Sequence, residues 1–187
     1  RLSLCPEHFI EFIEKRFKKT IHKVKALREV DKVVVAVSGG KDSVTLLHLM
    51  HKVSKELGFK IIGLTIDLGI GEYSIKSVNK AIKNYETLGI SYKIVDLKKE
   101  YGFSIDDIAK YRRRAGIRKP ICSVCGAIKR YIMNKLALDI GVDAVVTGHN
   151  LDDIVYYIFS TLYTGRIEDL ARISIYTPSK YKLVAKV

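Results

Sequence analysis

The sequence predicts an α/β fold: a parallel sheet with helices on both faces. Three observations carry that prediction. Short apolar runs such as "VVVAV" (Val33–Val37) suit strands buried on both sides. Segments with apolar residues at three- and four-residue steps alternate with these runs. Glycines stand where helices should stop, at Gly58, Gly89 and Gly141. Strands alternating with helices at this spacing make βαβ units and a parallel sheet.

Taken in order, residues 7–28 are expected to form a helix that presents Phe9, Ile10, Ile13, Phe17, Ile21, Val24 and Leu27 on one face. It belongs to a small N-terminal module or packs on the sheet edge. The run Val33–Val37 is the first strand. Ser43–Leu57 follows as a helix with Leu46, Leu47, Met50, Val53 and Leu57 inward. Strands are expected at Lys60–Ile66, Ser91–Leu97 and Asp143–Thr147, and a last one in "YKLVAKV" at the C-terminus. Helices are expected at Ser74–Leu88, from Ser104 to about Ala115, at Cys122–Ile140 and at Leu151–Tyr163. The expected division is an N-terminal part over 1–28 and a catalytic domain over 29–187. The chain starts at Arg1 and stops inside an expected strand, so further residues are expected beyond both ends.

Composition narrows the function class. The chain has 187 residues, enough for one domain with a core. No run approaches the roughly 18 apolar residues of a membrane span. No signal-peptide pattern opens the chain. Three cysteines do not make a disulfide framework. Together these point to the cytoplasm, where Cys-x-x-Cys reads as metal or redox chemistry. The net charge is +13. Such a balance points to a polyanionic partner, most often nucleic acid, unless it only reflects solvated lysine-rich faces. "KYRRRAGIRK" (Lys110–Lys119) concentrates six basic residues in ten positions.

Between the first strand and its helix stands "SGGKDS", Ser38–Ser43. In open α/β sheets ligands bind at the carboxyl ends of strands. Two glycines allow close backbone approach, the helix N-terminus offers free N–H groups, and Lys41 adds a full charge. This describes a phosphate cradle. It lacks the G-x-x-x-x-G-K-[ST] of a Walker A loop. The bland alternative is a tight turn with Asp42 or Ser43 as N-cap.

A second motif is "PICSVCGAIKRY" (Pro120–Tyr131). Cys122 and Cys125 sit one helical turn apart, so both sulfurs share a face. Alone, a Cys-x-x-Cys reads as a zinc half-site, a redox pair or iron–sulfur ligands, or as chance buried cysteines. Near the N-terminus, Cys5 and His8 have Cys-x-x-His spacing, which by itself cannot hold a structural zinc.

The string S-G-G-K-D-S after an apolar strand resembles the PP-loop of ATP pyrophosphatases, which split ATP into AMP and pyrophosphate. With "TIDLGIGEYS", "VDLKKEYGF", "CSVCGAIKRY" and "TGHNLDD" in this order, the chain resembles the TtcA/TtuA family of PP-loop ATP pyrophosphatases. More narrowly, it looks like the tRNA 2-thiouridine synthetases, a group shared with archaeal and eukaryotic wobble-uridine thiolases. The likeness runs from "LCPEHF" to the end of the chain. It implies an adenine nucleotide alpha hydrolase-like fold with the remnant of an N-terminal zinc-binding module. It implies ATP with Mg2+, adenylation of a uridine C2 oxygen in tRNA, and sulfur from a ubiquitin-like carrier protein through a [4Fe-4S] cluster.

Residue by residue, the resemblance assigns Ala36, Ser38, Gly39, Gly40, Lys41, Asp42, Ser43, Ile66, Gly148 and His149 to ATP. It makes Lys129 and Asp153 catalytic. It makes Cys122 and Cys125 two cluster ligands, with a third cysteine expected beyond the C-terminus. Cys5 and His8 match half of a Zn2+ site. Arg112, Arg113, Arg114, Arg118 and Lys119 are expected on tRNA phosphates, and a homodimer is expected. Bland readings stand beside several of these: an exposed helix lysine for Lys129, dipole compensation for Asp152 and Asp153, a structural histidine for His149. The rival classes are a tRNA 2-thiocytidine synthetase, a small-molecule adenylating ligase or amidotransferase, and an RNA-binding module without catalysis.

Overall fold

The computed structural model describes residues 3–23, 27, 30–114, 116, 118–173, 176–177 and 183–186. Helix α1 (Pro6–Lys23) leads to strand β1 (Lys32–Ala36), helix α2 (Lys41–Leu57) and strand β2 (Lys60–Asp67). Helix α3 (Gly71–Leu88) and strand β3 (Ser91–Asp96) follow, then α4 (Leu97–Tyr101), α5 (Ile105–Tyr111) and α6 (Ile121–Asp139). Strand β4 (Ala144–Thr147), helix α7 (Leu151–Tyr163), a 3-10 turn (Ile167–Arg172) and strands β5 (Tyr176–Thr177) and β6 (Leu183–Lys186) complete the order.

The sheet order is β3-β2-β1-β4-β6-β5. Every pairing is parallel except β5 with β6, which is antiparallel. The sheet is therefore parallel as expected, save for one short edge strand that no sequence pattern announced. Alternate residues of β1 serve opposite faces, as the two-residue period of a strand requires. Val33 and Val35 join Leu47 and Met50 of α2 and Tyr85 of α3 in one core cluster. Val34 joins Val145, Leu64 and Ile132 of α6 in the other. All three valines are fully buried, which is why this strand is an unbroken apolar run.

Several boundaries differ from expectation, each for a local reason. Helix α2 begins at Lys41, not Ser43. Gly40 is its N-cap, and no side chain caps it, so neither Asp42 nor Ser43 does. Helix α3 begins at Gly71, three residues early, since Gly71 can take a positive φ of 39° at the turn. Strand β3 stops at Asp96, whose carboxylate accepts from the Lys99 N–H and starts α4, a short helix the sequence reading did not anticipate. Helix α5 ends at Tyr111; the expected end at Ala115 lies outside the described residues. In α1, Phe9 and Ile10 are exposed and only Ile21 is buried, so the inward face is narrower than the spacing suggested. Its expected extension to residue 28 falls largely outside the described residues, Val24 included, although Leu27 is described and buried. Leu57 is exposed rather than inward, in the last turn of α2. Helix α7 matches its expected bounds but exposes much apolar surface, including Leu151, Tyr156, Phe159 and Tyr163.

Two buried features brace the sheet beneath its carboxyl edge. The Tyr85 ring lies over Gly63 so closely that a Cβ there would fall 2.2 Å from Cε1. Its hydroxyl and the Thr65 hydroxyl are 2.9 Å apart, and Thr65 Oγ1 donates to the Val37 carbonyl at 2.8 Å. Because the Thr65 proton is committed to Val37, the Tyr85 O–H donates to Thr65. Burial pushes the Tyr85 phenol up. On the other side of the sheet, Ser104 and Asp107 form a reciprocal capping box at the start of α5.

Two outcomes test these features. Gly63→Ala should destabilise the fold by about 1–3 kcal/mol, since the added carbon overpacks against an immobile ring; urea denaturation measures it. The second concerns acid. Lys98, then Ser104, hold the Asp107 carboxyl at about 2, below its ordinary 3.8. A depressed carboxylate contributes stability above its unfolded value and loses it as pH falls through the folded one. The cap should therefore fail as pH drops from near 3.8 towards about 2. NMR titration of the Ser104 amide should show this step, and Asp107→Asn should abolish it.

Candidate active site

The carboxyl ends of β1, β2 and β4 open onto a cavity of about 640 Å³. Its far wall is helix α6. The Val37 N–H donates to the Leu64 carbonyl at 2.8 Å, and Thr65 holds the Val37 carbonyl, so the chain leaves β1 in a fixed direction. At the turn, Gly39 has φ 76°. A Cβ there would lie 2.3 Å from the Ser77 carbonyl oxygen of α3. Only glycine satisfies both the left-handed backbone and this approach. The Ser43 hydroxyl donates to the Gly40 carbonyl at 3.0 Å and accepts the Ser38 N–H at 3.1 Å. Since no side chain caps α2, its first N–H groups remain for a ligand.

Of the residues assigned to nucleotide, Ala36, Ser38, Ser43, Ile66, Gly148 and His149 line this cavity. Gly39, Gly40, Lys41 and Asp42 do not. Lys41 points into solvent, its side chain 85% exposed, and pairs with Asp42 at 2.8 Å. That hydrogen bond and the Asp42 charge raise its affinity for its proton, and Asp152 and Asp153 add to the effect. Gly148 has a packing reason for lacking a side chain. A Cβ would sit 3.0 Å from Ser43 Cα and 3.2 Å from the Asp42 carbonyl carbon, so the loop after β4 presses directly on the first turn of α2. His149 Nδ1 is 2.9 Å from the Thr147 hydroxyl, the arrangement of a hydrogen-bonded structural histidine. The Asp153 carboxylate accepts the Asn150 N–H at 2.9 Å while Asn150 caps α7 in return. It lies outside the cavity lining.

Helix α6 contributes Gly126, Lys129, Arg130, Met133 and Asn134 to the wall. Lys129 and Arg130 are its two full charges, and the lining holds no carboxylate. The Arg130 guanidinium lies over Gly126, with Nη1 3.4 Å from where a Cβ would be. Such a cavity has an apolar floor, hydroxyls on its rim and net positive charge. It suits an anion joined to a flat apolar group, as in a nucleotide. The cysteines are on the same helix, Cys125 one turn and Cys122 two turns before Lys129. Cys122 is exposed, and Cys125 is half-buried beside the core cluster under the sheet.

Among the described residues, no group of three or more Cys, His, Asp or Glu could hold a metal ion. Cys122 and Cys125 offer two sulfur atoms on one face of α6. Cys5 and His8 supply another pair, with Cys5 Sγ 3.0 Å from His8 Nδ1. Two ligands fall short of a four-coordinate zinc site, so the zinc module does not follow from the described residues. Arg113, Arg114, Arg118 and Lys119 are exposed and Arg112 is half-buried, between α5 and the cysteine turn.

Sequence reasoning missed the α3 side of the cavity, where Tyr73, Ser74 and Ser77 line it, and also Thr65 and Arg130. A signal existed for α3: Tyr73 and Ser74 close the motif "TIDLGIGEYS", and Ser77 shares their helical face. For Arg130 it was adjacency to Lys129.

A family model described as a PP-loop domain, ATP_bind_3, matches residues 11–182. The chain is 39% identical to a tRNA-5-methyluridine(54) 2-sulfurtransferase of Pyrococcus horikoshii over 187 residues, covering all of this chain and 57% of the relative. It is 30% identical to the tRNA 2-thiolation protein NcsA of Haloferax volcanii over 176 residues, covering 90% of this chain and 54% of the relative. The chain thus spans little more than half the length of these curated relatives. Among solved structures it resembles the U34-tRNA thiolase NcsA of Methanococcus maripaludis, described with its [4Fe-4S] cluster. The TM-score is 0.79 at 30% identity, over 98% of this chain and 59% of that one. An NH3-dependent NAD synthetase of Campylobacter jejuni, at 14% identity and TM-score 0.53 over 81% of this chain and 59% of that one, shares the fold alone. The glycine turn, the uncapped helix behind it and the cavity beside them are those of a PP-loop domain, and the chain belongs to the PP-loop ATP_bind_3 family.

Proposed function

We propose that this chain carries the ATP-handling core of a tRNA uridine 2-sulfurtransferase. The observation that carries the reading is that one cavity joins the PP-loop serines to the helical turn bearing Cys125, Gly126 and Lys129. A ligase for small molecules needs the first wall but not cysteines beside the second.

In this reading the uridine C2 oxygen attacks the α-phosphorus of ATP, and pyrophosphate departs. A sulfur nucleophile then attacks C2, and AMP leaves with the former C2 oxygen. The N-terminus of α2 takes phosphate oxygens through its free N–H groups. Ala36 and Ile66 line the apolar floor beneath the adenine. Lys129 faces the cavity and neutralises charge that develops on the phosphate or at C2. Arg130 doubles that charge on the same wall. Asp153 remains a candidate proton acceptor, with one carboxylate oxygen already engaged by the α7 cap. Mg2+ is expected with the pyrophosphate.

Cys122 and Cys125 would be two ligands of an iron–sulfur cluster, which when bound supplies an open iron able to carry sulfur. The named cluster of the M. maripaludis relative supports this. Sulfur from a ubiquitin-like carrier, a homodimeric assembly and contact of Arg112, Arg113, Arg114, Arg118 and Lys119 with tRNA phosphates belong to the same proposal. Relatives named for 5-methyluridine 54 reach 42% identity, against 30% for the solved structure named as a U34-tRNA thiolase, so position 54 is the favoured target.

Three results would test it. Full-length protein prepared without oxygen should hold about four irons, and Cys122→Ala should lose them. Iron-free protein that still thiolates tRNA would sink the cluster assignment. Lys129→Ala should lower the thiolation kcat by about 10²–10³-fold while keeping the fold. Gly39→Ala should weaken ATP binding by about tenfold or more in calorimetric titration, because the turn must abandon its left-handed backbone. Mass spectrometry of nucleosides from treated tRNA would identify the position.

A further inference from the structure

Tyr73 is 65% exposed yet lines the cavity. Apart from His149, it is the one aromatic side chain among the described lining residues. Neither charge nor core packing accounts for its placement.

The loop that leads into its helix is held by four hydrogen bonds. The Gly69 N–H donates to Asp67 Oδ1 at 2.9 Å, and the Ile105 N–H donates to the Leu68 carbonyl at 2.8 Å. The Ile70 N–H donates to the Ser74 hydroxyl at 2.9 Å, and the Gly71 N–H to Asp106 Oδ2 at 3.1 Å. Gly69 has φ 65°, and a Cβ on it would lie 2.5 Å from Ser104 Cβ. Two of these bonds are local and two come from the start of α5, so the backbone that leads into the helix carrying the exposed ring is fixed in place.

Its place in the fold says what the platform faces. Strand β1 lies between β2 and β4, so the loop after β2 stands directly beside the PP-loop. The deep lining there is aliphatic: Leu64, 1% exposed, with Ala36 and Ile66. That floor is apolar and suits an adenine. Tyr73 is at the open rim, where a second substrate must enter.

A uridine within folded tRNA is stacked on its neighbours. To bring its C2 oxygen to a phosphorus inside a cavity it must be unstacked and splayed out, and proteins replace the lost stacking with aromatic side chains. We propose that Tyr73 is the stacking platform for the target uracil, holding it at the cavity mouth for adenylation. The inference rests on the sulfurtransferase reading above.

The test is steady-state thiolation by the full-length enzyme with Tyr73→Phe, Tyr73→Leu and Tyr73→Ala, taking kcat/KM for tRNA and for ATP separately. ATP affinity is titrated without RNA in parallel. Stacking on one ring predicts a loss of about five- to hundredfold in kcat/KM for tRNA in the Leu and Ala variants, with Tyr73→Phe within about twofold of wild type. A matching loss of ATP affinity without RNA would assign the ring to adenine and overturn the proposal. So would Tyr73→Phe falling as far as Tyr73→Ala, since the hydroxyl and not the ring would then matter, and so would a flat series. Wild-type enzyme that binds ATP but thiolates no tRNA would overturn the sulfurtransferase reading, and this inference with it.

Discussion

The site depends on one topological constraint: strand β1 is paired in parallel with β2 on one side and β4 on the other. All three strands therefore end at the same edge. After β1 the chain runs through α2, which packs with Val33 and Val35. The path from β3 to β4 runs through α6, which packs with Val34 on the opposite face. Connections that leave to opposite faces part at the strand ends and leave a crevice there. The turn at Gly39, the rim at Tyr73 and the wall at Lys129 are three sides of that crevice. Their residues are far apart in sequence and meet because the sheet order brings them together.

Charge is sorted around the crevice. Lys129 and Arg130 face into a lining without carboxylates. The acidic groups Asp42, Asp152 and Asp153 act on Lys41 outside it. An anion entering the cavity meets positive charge in a setting partly shielded from solvent, where Coulomb attraction is less diluted than at the surface. Lys41 offers its charge in a different way. It is solvated and already paired, so a phosphate must compete with Asp42 for it.

Much of the sheet was legible because buried parallel strands must be apolar on both sides. "VVVAV", "KIIGLTI" and "DAVVT" read as strands, and the structure moves their ends by a residue or so. The helix stops at Gly58 and Gly89 were legible because a left-handed C-cap favours glycine. Helix α4 was not, because five residues carry no period and its start depends on one Asp96 side chain. The antiparallel β5 was not, since two residues specify nothing until β6 is beside them. For the site, the PP-loop and the α6 wall were visible as motifs. The α3 wall was not assigned, because the motif "TIDLGIGEYS" holds Tyr73 and Ser74 but the closeness of α3 to the glycine turn is what makes them cavity wall. Gly148 was read as room for a nucleotide; its spacing to Ser43 shows that it also makes room for another piece of backbone.

Tyr73 and Ser77 are four residues apart, one turn of the same helix. The Ser77 carbonyl abuts Gly39 with no slack, since even a methyl group would collide. Helix α3 thus carries the rim of the cavity on one turn and the brace of the phosphate turn on the next. The placement of both follows from how one helix is seated on the sheet through Ala81 and Tyr85.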